Sequence, residues 1–224
     1  METTMRLVLY LGITILLGHW AFIVGQAQET EIPPLSQEQK TEIEHHLKVL
    51  KNWPLSAAQQ SAEFLVAKDK LAVPFLLLAI KEGEVQTRVG AAYCLGKLKV
   101  SAAFPLLWET TKDRKMLPHL ATIFAAMMQS DPQHAYPALL EFLQSTVQTG
   151  QHPAFQVLSG VTGPEHLPLL AALLESKQTE ARKYVLQLIA QIDSEASQSF
   201  LIQALGDATP AVALQSATLL GSKD

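Results

Sequence analysis

The chain has 224 residues, 48% of them hydrophobic and 17% charged, with a formal net charge of −4. That is ample apolar material for one folded domain of ordinary size, and it excludes a chain that is disordered throughout. The 17 basic residues are scattered, the densest group being Lys112, Arg114 and Lys115 around Asp113. No electropositive stripe for phosphate backbones results, so nucleic acid is not an expected partner.

In chain order, the first element is an apolar run from Leu7 to Val24, relieved only by Thr14, His19 and the glycines. Arg6 precedes it, and Gly25-Gln26-Ala27 and then Glu29 and Glu31 follow. Two readings fit: a secretory leader spanning residues 1–27 with cleavage after Ala27, or an uncleaved membrane anchor over residues 7–25. Both put residues 28 onward outside the cytoplasm, because the positive charge lies before the run and the acidic residues after it. The expected location is therefore periplasmic or secreted, or membrane-anchored with the domain outside. No cysteine stands directly after the run, which argues against a bacterial lipoprotein anchor.

Residues 28–35 are a linker whose Ile32-Pro33-Pro34-Leu35 is stiff and extended. Ser36 and Gln39 then have the Ser-x-x-Gln spacing of a capping box, so the folded domain, residues 36–222, starts there. Ile43, Leu47 and Leu50 recur at helical spacing beside Glu42, Glu44, His45 and Lys48, which predicts an amphipathic helix to about Lys51. Trp53-Pro54 breaks it. Ser56 and Gln59 offer a second capping box, and Ala62, Leu65 and Val66 carry the partner helix.

From there the chain repeats itself. Pro74, Pro105, Pro137 and Pro168 each open an apolar run, Ser199 continues the register, and Ile43 precedes it with a weaker match. The anchors recur at a period of about 31 residues, within the range of helical repeat arrays. A second apolar run begins fourteen places after each anchor. Polar or flexible stretches divide the two runs: Lys81–Glu84, Thr111–Arg114, Gln148–Gln151, Ser176–Thr179 and Gly206–Pro210. Asp131-Pro132 and Thr162-Gly163-Pro164 supply caps between copies. No period-two strand is present. Fixed-period self-similarity of this length predicts an all-α solenoid of about six two-helix repeats. The charged first helix suits an amino-terminal lid. The last copy has little polar outer face, and its edge is a candidate contact surface.

The second runs carry a phrase: Thr87-Arg-Val-Gly-Ala-Ala-Tyr-Cys-Leu-Gly96, echoed by Glu180-Ala-Arg-Lys-Tyr-Val-Leu-Gln-Leu-Ile189 and by Pro210–Gly221. It resembles the Val-Arg-x-x-Ala-Ala-x-x-Leu-Gly phrase of the short HEAT-like repeats first associated with phycobilisome lyases. The resemblance covers roughly residues 36 to 222 and is sharpest from Arg88 to Gly96. It implies a solenoid whose second helices line the concave face.

Arg88, His119, Gln151 and Arg182 stand fourteen places after their anchors, with Ala213 in the last copy, and so form one row along the stack. Two roles fit them. They are candidate binding residues that would grip an acidic or amide-rich segment of a partner, or the arginines brace a neighbouring turn through Glu84 or Glu180. Glu42 and His46, one turn apart, are two metal-type ligands with no third, which reads as a solvated helix face. His45, His134, His152 and His166 show no metal spacing, and the last three fall near predicted helix starts. Cys94 sits among Ala, Tyr and Leu as a small buried residue, and no intramolecular disulfide can form from one cysteine. Trp108 and Tyr136 lie close to first-helix starts, where core packing is the first expectation and surface anchoring the second. There is no Gly-x-Ser-x-Gly elbow, no phosphate loop and no His-Glu-x-x-His.

The expected function is a non-catalytic interaction scaffold or adaptor, not an enzyme, that needs no cofactor or metal and holds a protein or peptide on its concave face. The alternative is a lyase-like or chromophore-handling enzyme, which the resemblance implies because bilin lyases carry this repeat. The leader argues against it, since such lyases act on cytoplasmic partners. A structural subunit organising an envelope complex is the third reading.

Overall fold

In the computed structural model, the structure describes residues 35–145 and 152–222. The chain divides into two units, Met1–Leu35 and Ser36–Asp224. The leader or anchor, the Ile32–Pro34 stretch and the Gln148–Gln151 turn lie outside the described residues, as does Gln151 itself.

Twelve helices occur among the described residues: α1 (Gln37–Val49), α2 (Ser56–Ala67), α3 (Val73–Glu82), α4 (Val85–Lys97), α5 (Phe104–Thr110), α6 (Leu120–Ser130), α7 (Pro132–Ser145), α8 (Pro153–Ser159), α9 (Leu167–Leu173), α10 (Thr179–Gln191), α11 (Glu195–Ala204) and α12 (Pro210–Gly221). They form six consecutive pairs, the two helices of each pair in contact, and no strand occurs among the described residues. No described helix is long and apolar enough to cross a membrane.

Local chemistry sets the boundaries. The capping box at α1 forms as expected: Gln39 N–H donates to Ser36 Oγ (3.1 Å) and Ser36 N–H donates to Gln39 Oε1 (2.9 Å). The second box does not. Leu55 is the N-cap of α2, its carbonyl taking the N–H groups of Ala58 and Gln59. Ser56 is thus the first helical residue, where its hydroxyl is misplaced for the N3 amide. Pro74, Pro105 and Pro168 each fall in a first turn, at N2 of α3, α5 and α9. There the missing N–H is one the helix would leave unpaired anyway.

Pro137 and Ser199 do not open their helices. α7 starts five residues earlier because Asp131 caps it, accepting from His134 N–H (3.3 Å), with Pro132 as the first helical residue. α11 starts four residues earlier because Ser194 Oγ accepts from Ser197 N–H (3.1 Å). Thr162 is not a cap either: its hydroxyl donates to Leu158 O (2.8 Å), and Gly163 takes the capping position. The run expected from His119 begins as a 3-10 turn, Arg114–His119, before α6.

The core is one slab between two layers. Ile43, Leu50, Leu65, Leu76, Leu95, Leu107, Ile123, Phe124, Met127, Leu139, Leu158, Leu170, Val185, Ile189 and Leu201 are all fully buried. No single pair could bury them, so each repeat depends on its neighbours. The second helices α2, α4, α6, α8, α10 and α12 pack on one another in order, whereas the first helices barely meet beyond α5. The second-helix layer is therefore the shorter, inner side of the stack. Its tightest point is α4 against α6: a Cβ on Gly96 would lie 2.8 Å from the Cα of Ala126. The Leu-Gly of the repeat phrase is thus a contact requirement between helices.

Candidate functional site

Both arginines of the row, Arg88 and Arg182, are engaged within the fold. Arg182, in the first turn of α10, is buried among polar partners. Its Nε and Nη2 form a fork onto Asp207 (3.0 and 3.1 Å), Nη2 also reaches Thr209 Oγ1 (2.7 Å), and Nη1 donates to Ser176 O (2.6 Å). Asp207 and Thr209 belong to the turn before α12, so this fork fastens the fifth repeat to the sixth. Arg88, in the first turn of α4, donates through Nη1 to Asp113 (2.7 Å), which lies in the turn of the next repeat. Each aspartate stands at the same offset, 25, beyond its arginine. Each also accepts from the backbone two residues on, Lys115 N–H (3.0 Å) and Thr209 N–H (2.7 Å).

Those bonds set the titration of the acids. Asp113 is held below the ordinary carboxylate range, first by the Lys115 amide and then by Arg88. Burial pushes Asp207 up, but the Thr209 amide and the Arg182 guanidinium together outweigh it and hold it low. The braces run to Asp113 and Asp207, not to Glu84 or Glu180; Glu180 pairs instead with Lys183 (3.2 Å). The difference is one of reach: the guanidinium at the head of a second helix points across to the following repeat. His119 is half-buried at the N-cap of α6.

The histidines are structural caps and ring contacts. His134 pairs with its capping residue Asp131 (2.8 Å). His152 is the buried N-cap residue of α8, its ring against Phe142 and Tyr184. His166 stacks on Tyr136 at 3.7 Å, and its Nδ1 accepts from Gly163 N–H (3.0 Å). Since Nδ1 is an acceptor, the 3.4 Å approach of Glu165 to that atom is not an ion pair. Tyr136 itself is buried and donates to Thr162 (2.8 Å), so it packs and does not anchor a partner; Trp108 is half-buried.

Glu42 and His46 do not converge. Glu42 pairs with Lys68 (2.8 Å), while His46 stacks on Phe64 at 3.9 Å and bonds Ser61 (3.1 Å). Among the described residues no group of three or more His, Cys, Asp or Glu side chains is placed to hold a metal. Cys94 is buried with its Sγ 3.7 Å from Ala62 O, and burial pushes its thiol up to about 12. Burial of this kind disfavours the reactive thiolate.

What the inner layer does offer is a groove of about 440 Å³ on the last three second helices. Phe155, Gln156 and Ser159 line it from α8, Glu180, Lys183, Tyr184 and Gln187 from α10, and Gln215 from α12. The Phe155 and Tyr184 rings lie 5.0 Å apart. The Glu180–Lys183 pair leaves the lining with no net formal charge. One signal of it was visible in the chain: Gln156 and Gln187 stand one full repeat apart. At the carboxy-terminal edge Ile202, Leu205 and Leu214 are exposed, the last at 69%.

No protein family and no curated relative matches the chain by sequence. Solved structures that match the chain include the following three. YibA of Escherichia coli is 17% identical with a TM-score of 0.49, covering 85% of this chain and 76% of its own. The CpcE–CpcF complex of phycocyanin lyase from Nostoc is 19% identical at 0.42, covering 88% and 80%. Human deoxyhypusine hydroxylase, in complex with glycerol, is 16% identical at 0.26, covering 81% and 96%. Likenesses this distant add nothing on activity, and the architecture rests on the helices themselves. Six consecutive helix pairs, with the second helices packed on one another along one side, make the chain an all-α solenoid of HEAT-like repeats.

Proposed function

We propose that the protein is a non-catalytic interaction scaffold, exported to the periplasm or cell envelope, that holds a protein or peptide on the inner face of its solenoid. The groove across α8, α10 and α12 carries this reading: half-exposed aromatic and amide side chains from three repeats meet in one concave strip. A solenoid builds its binding surfaces in this way, by presenting equivalent positions of successive repeats to one extended partner. Arg182 serves as a brace between the last two repeats of the strip, and the contact residues lie beside and one turn beyond it, at Lys183, Tyr184 and Gln187. The apolar run and its flanking charges support the export reading.

The test is selection of a displayed random-peptide library on the full chain, followed by rebinding to Gln187→Glu and Gln215→Glu. Binders lost on both variants place the site in the groove; binders indifferent to both would remove it. Mass measurement of the amino terminus after expression in a bacterial host checks the location: a product starting at Gln28 is an exported soluble adaptor, and an intact Met1 in the membrane fraction is an anchored scaffold.

A further inference from the structure

We infer that the groove takes an uncharged, proline-rich segment in the polyproline II conformation, an inference that rests on the interaction reading above. Three features of the lining point to that ligand. The first is pitch. Packed helices lie about 8–10 Å apart, which is the spacing expected between equivalent positions of successive second helices, such as Gln156 and Gln187 one repeat apart. Polyproline II rises about 3.1 Å per residue with three residues per turn, or about 9 Å per turn. A ligand of that form presents the same face to each successive repeat, whereas a β-strand alternates faces every residue and falls out of phase.

The second is hydrogen bonding. A polyproline II backbone makes no internal hydrogen bonds, and its carbonyls are accepting groups without donors. Gln187 and Gln215 bring side-chain amide N–H donors to the groove. The third is the wall. Phe155 and Tyr184, with ring centroids 5.0 Å apart and planes tilted by 38°, make an aromatic surface of the kind on which pyrrolidine rings pack. Charge selects further. With Glu180 and Lys183 paired at 3.2 Å, the groove offers neither a free cation for an acidic segment nor a free anion for a basic one.

The experiment measures fluorescence anisotropy of labelled decaproline with the full chain, against a (Gly-Ser)5 peptide that is equally uncharged but flexible. Decaproline is expected to bind at least tenfold more tightly than (Gly-Ser)5. Its affinity should fall at least tenfold in Gln187→Ala and in Tyr184→Ala, and stay unchanged in Leu78→Ser, at an exposed position on α3 outside the groove lining. Gln187 is half-exposed, so its variant keeps the test alive if Tyr184→Ala fails to fold by circular dichroism. Equal binding of the two peptides, or decaproline binding that survives both groove variants, overturns the inference. If decaproline fails to bind while library-selected peptides require Gln187 and Gln215, this inference falls and the interaction reading stands. If neither probe needs the groove, both fall.

Discussion

Replacing Arg182 by alanine should loosen the join between the fifth and sixth repeats. The guanidinium makes four hydrogen bonds, two to Asp207, one to Thr209 and one to the Ser176 carbonyl. Both ends are largely withdrawn from water, with side chains 11% and 16% exposed. A hydrogen bond to a charged group contributes about 1.5–3 kcal/mol, but the four are not additive. Asp207 also keeps its bond from Thr209 N–H and gains water at the rim. A net loss of about 2–4 kcal/mol follows, which for a domain of this size lowers Tm by roughly 5–15 °C. Because stability in a solenoid is a sum over repeats and their interfaces, the loss should be local. Hydrogen exchange should show α11 and α12 opening first, with α4 and α6 unchanged. Arg88→Ala, which removes a single bond to a more exposed partner, should shift Tm less. A double-mutant cycle between Arg182→Ala and Asp207→Ala isolates the pair. An Arg182→Ala protein that melts within a degree of the parent, or a cycle with no coupling, would refute the bracing role.

Three further outcomes are expected. Asp113 and Asp207 are held below their ordinary value of 3.8, so each adds stability above that pH that is lost as pH falls through the folded value; the stability gap between parent and Arg182→Ala should therefore narrow in acid denaturation below about pH 3.8. Gly96→Ala should destabilise despite alanine's helix propensity, because the added carbon meets the Ala126 backbone at 2.8 Å; overpacking costs about 1–3 kcal/mol against a propensity gain of about 1, and a urea midpoint at or above the parent's would contradict the close approach. The Cys94 thiol, buried and pushed up to about 12, should be silent to Ellman's reagent at pH 8 in the native protein and react once in urea, whereas prompt native labelling would show an open site.

The architecture was legible because its causes are local. A fixed repeat period, prolines in first turns and a Ser-x-x-Gln cap are written in consecutive residues, and they located six pairs. The Asp131-Pro132 cap was legible too, and α7 starts there, five residues before the register residue Pro137. The boundary that failed is the Ser56 box, where Leu55 takes the capping position. The bracing partners were missed for a different reason. Glu84 and Glu180 are near the arginines in the chain, while Asp113 and Asp207 are near them in space, each in the turn of the following repeat. The equal offset, with an Asx-type bond in each turn, is a signal that pairing the repeats would have exposed. The groove was hardest to read. Tyr184 and Gln187 follow Arg182 by two and five residues, and only the packing of α8, α10 and α12 shows that they share a strip with Phe155 and Gln215.

The most direct measurement is site-specific photo-crosslinking of the full chain in a bacterial host, with the photoreactive residue at position 187 in the groove or at position 78, where Leu78 is 52% exposed on the first helix of its repeat. A discrete crosslinked product from position 187, absent from position 78 and abolished by Tyr184→Ala, is the predicted result. Crosslinking from position 78 alone, or equally from both positions whatever occupies position 184, would contradict a partner held on the inner face.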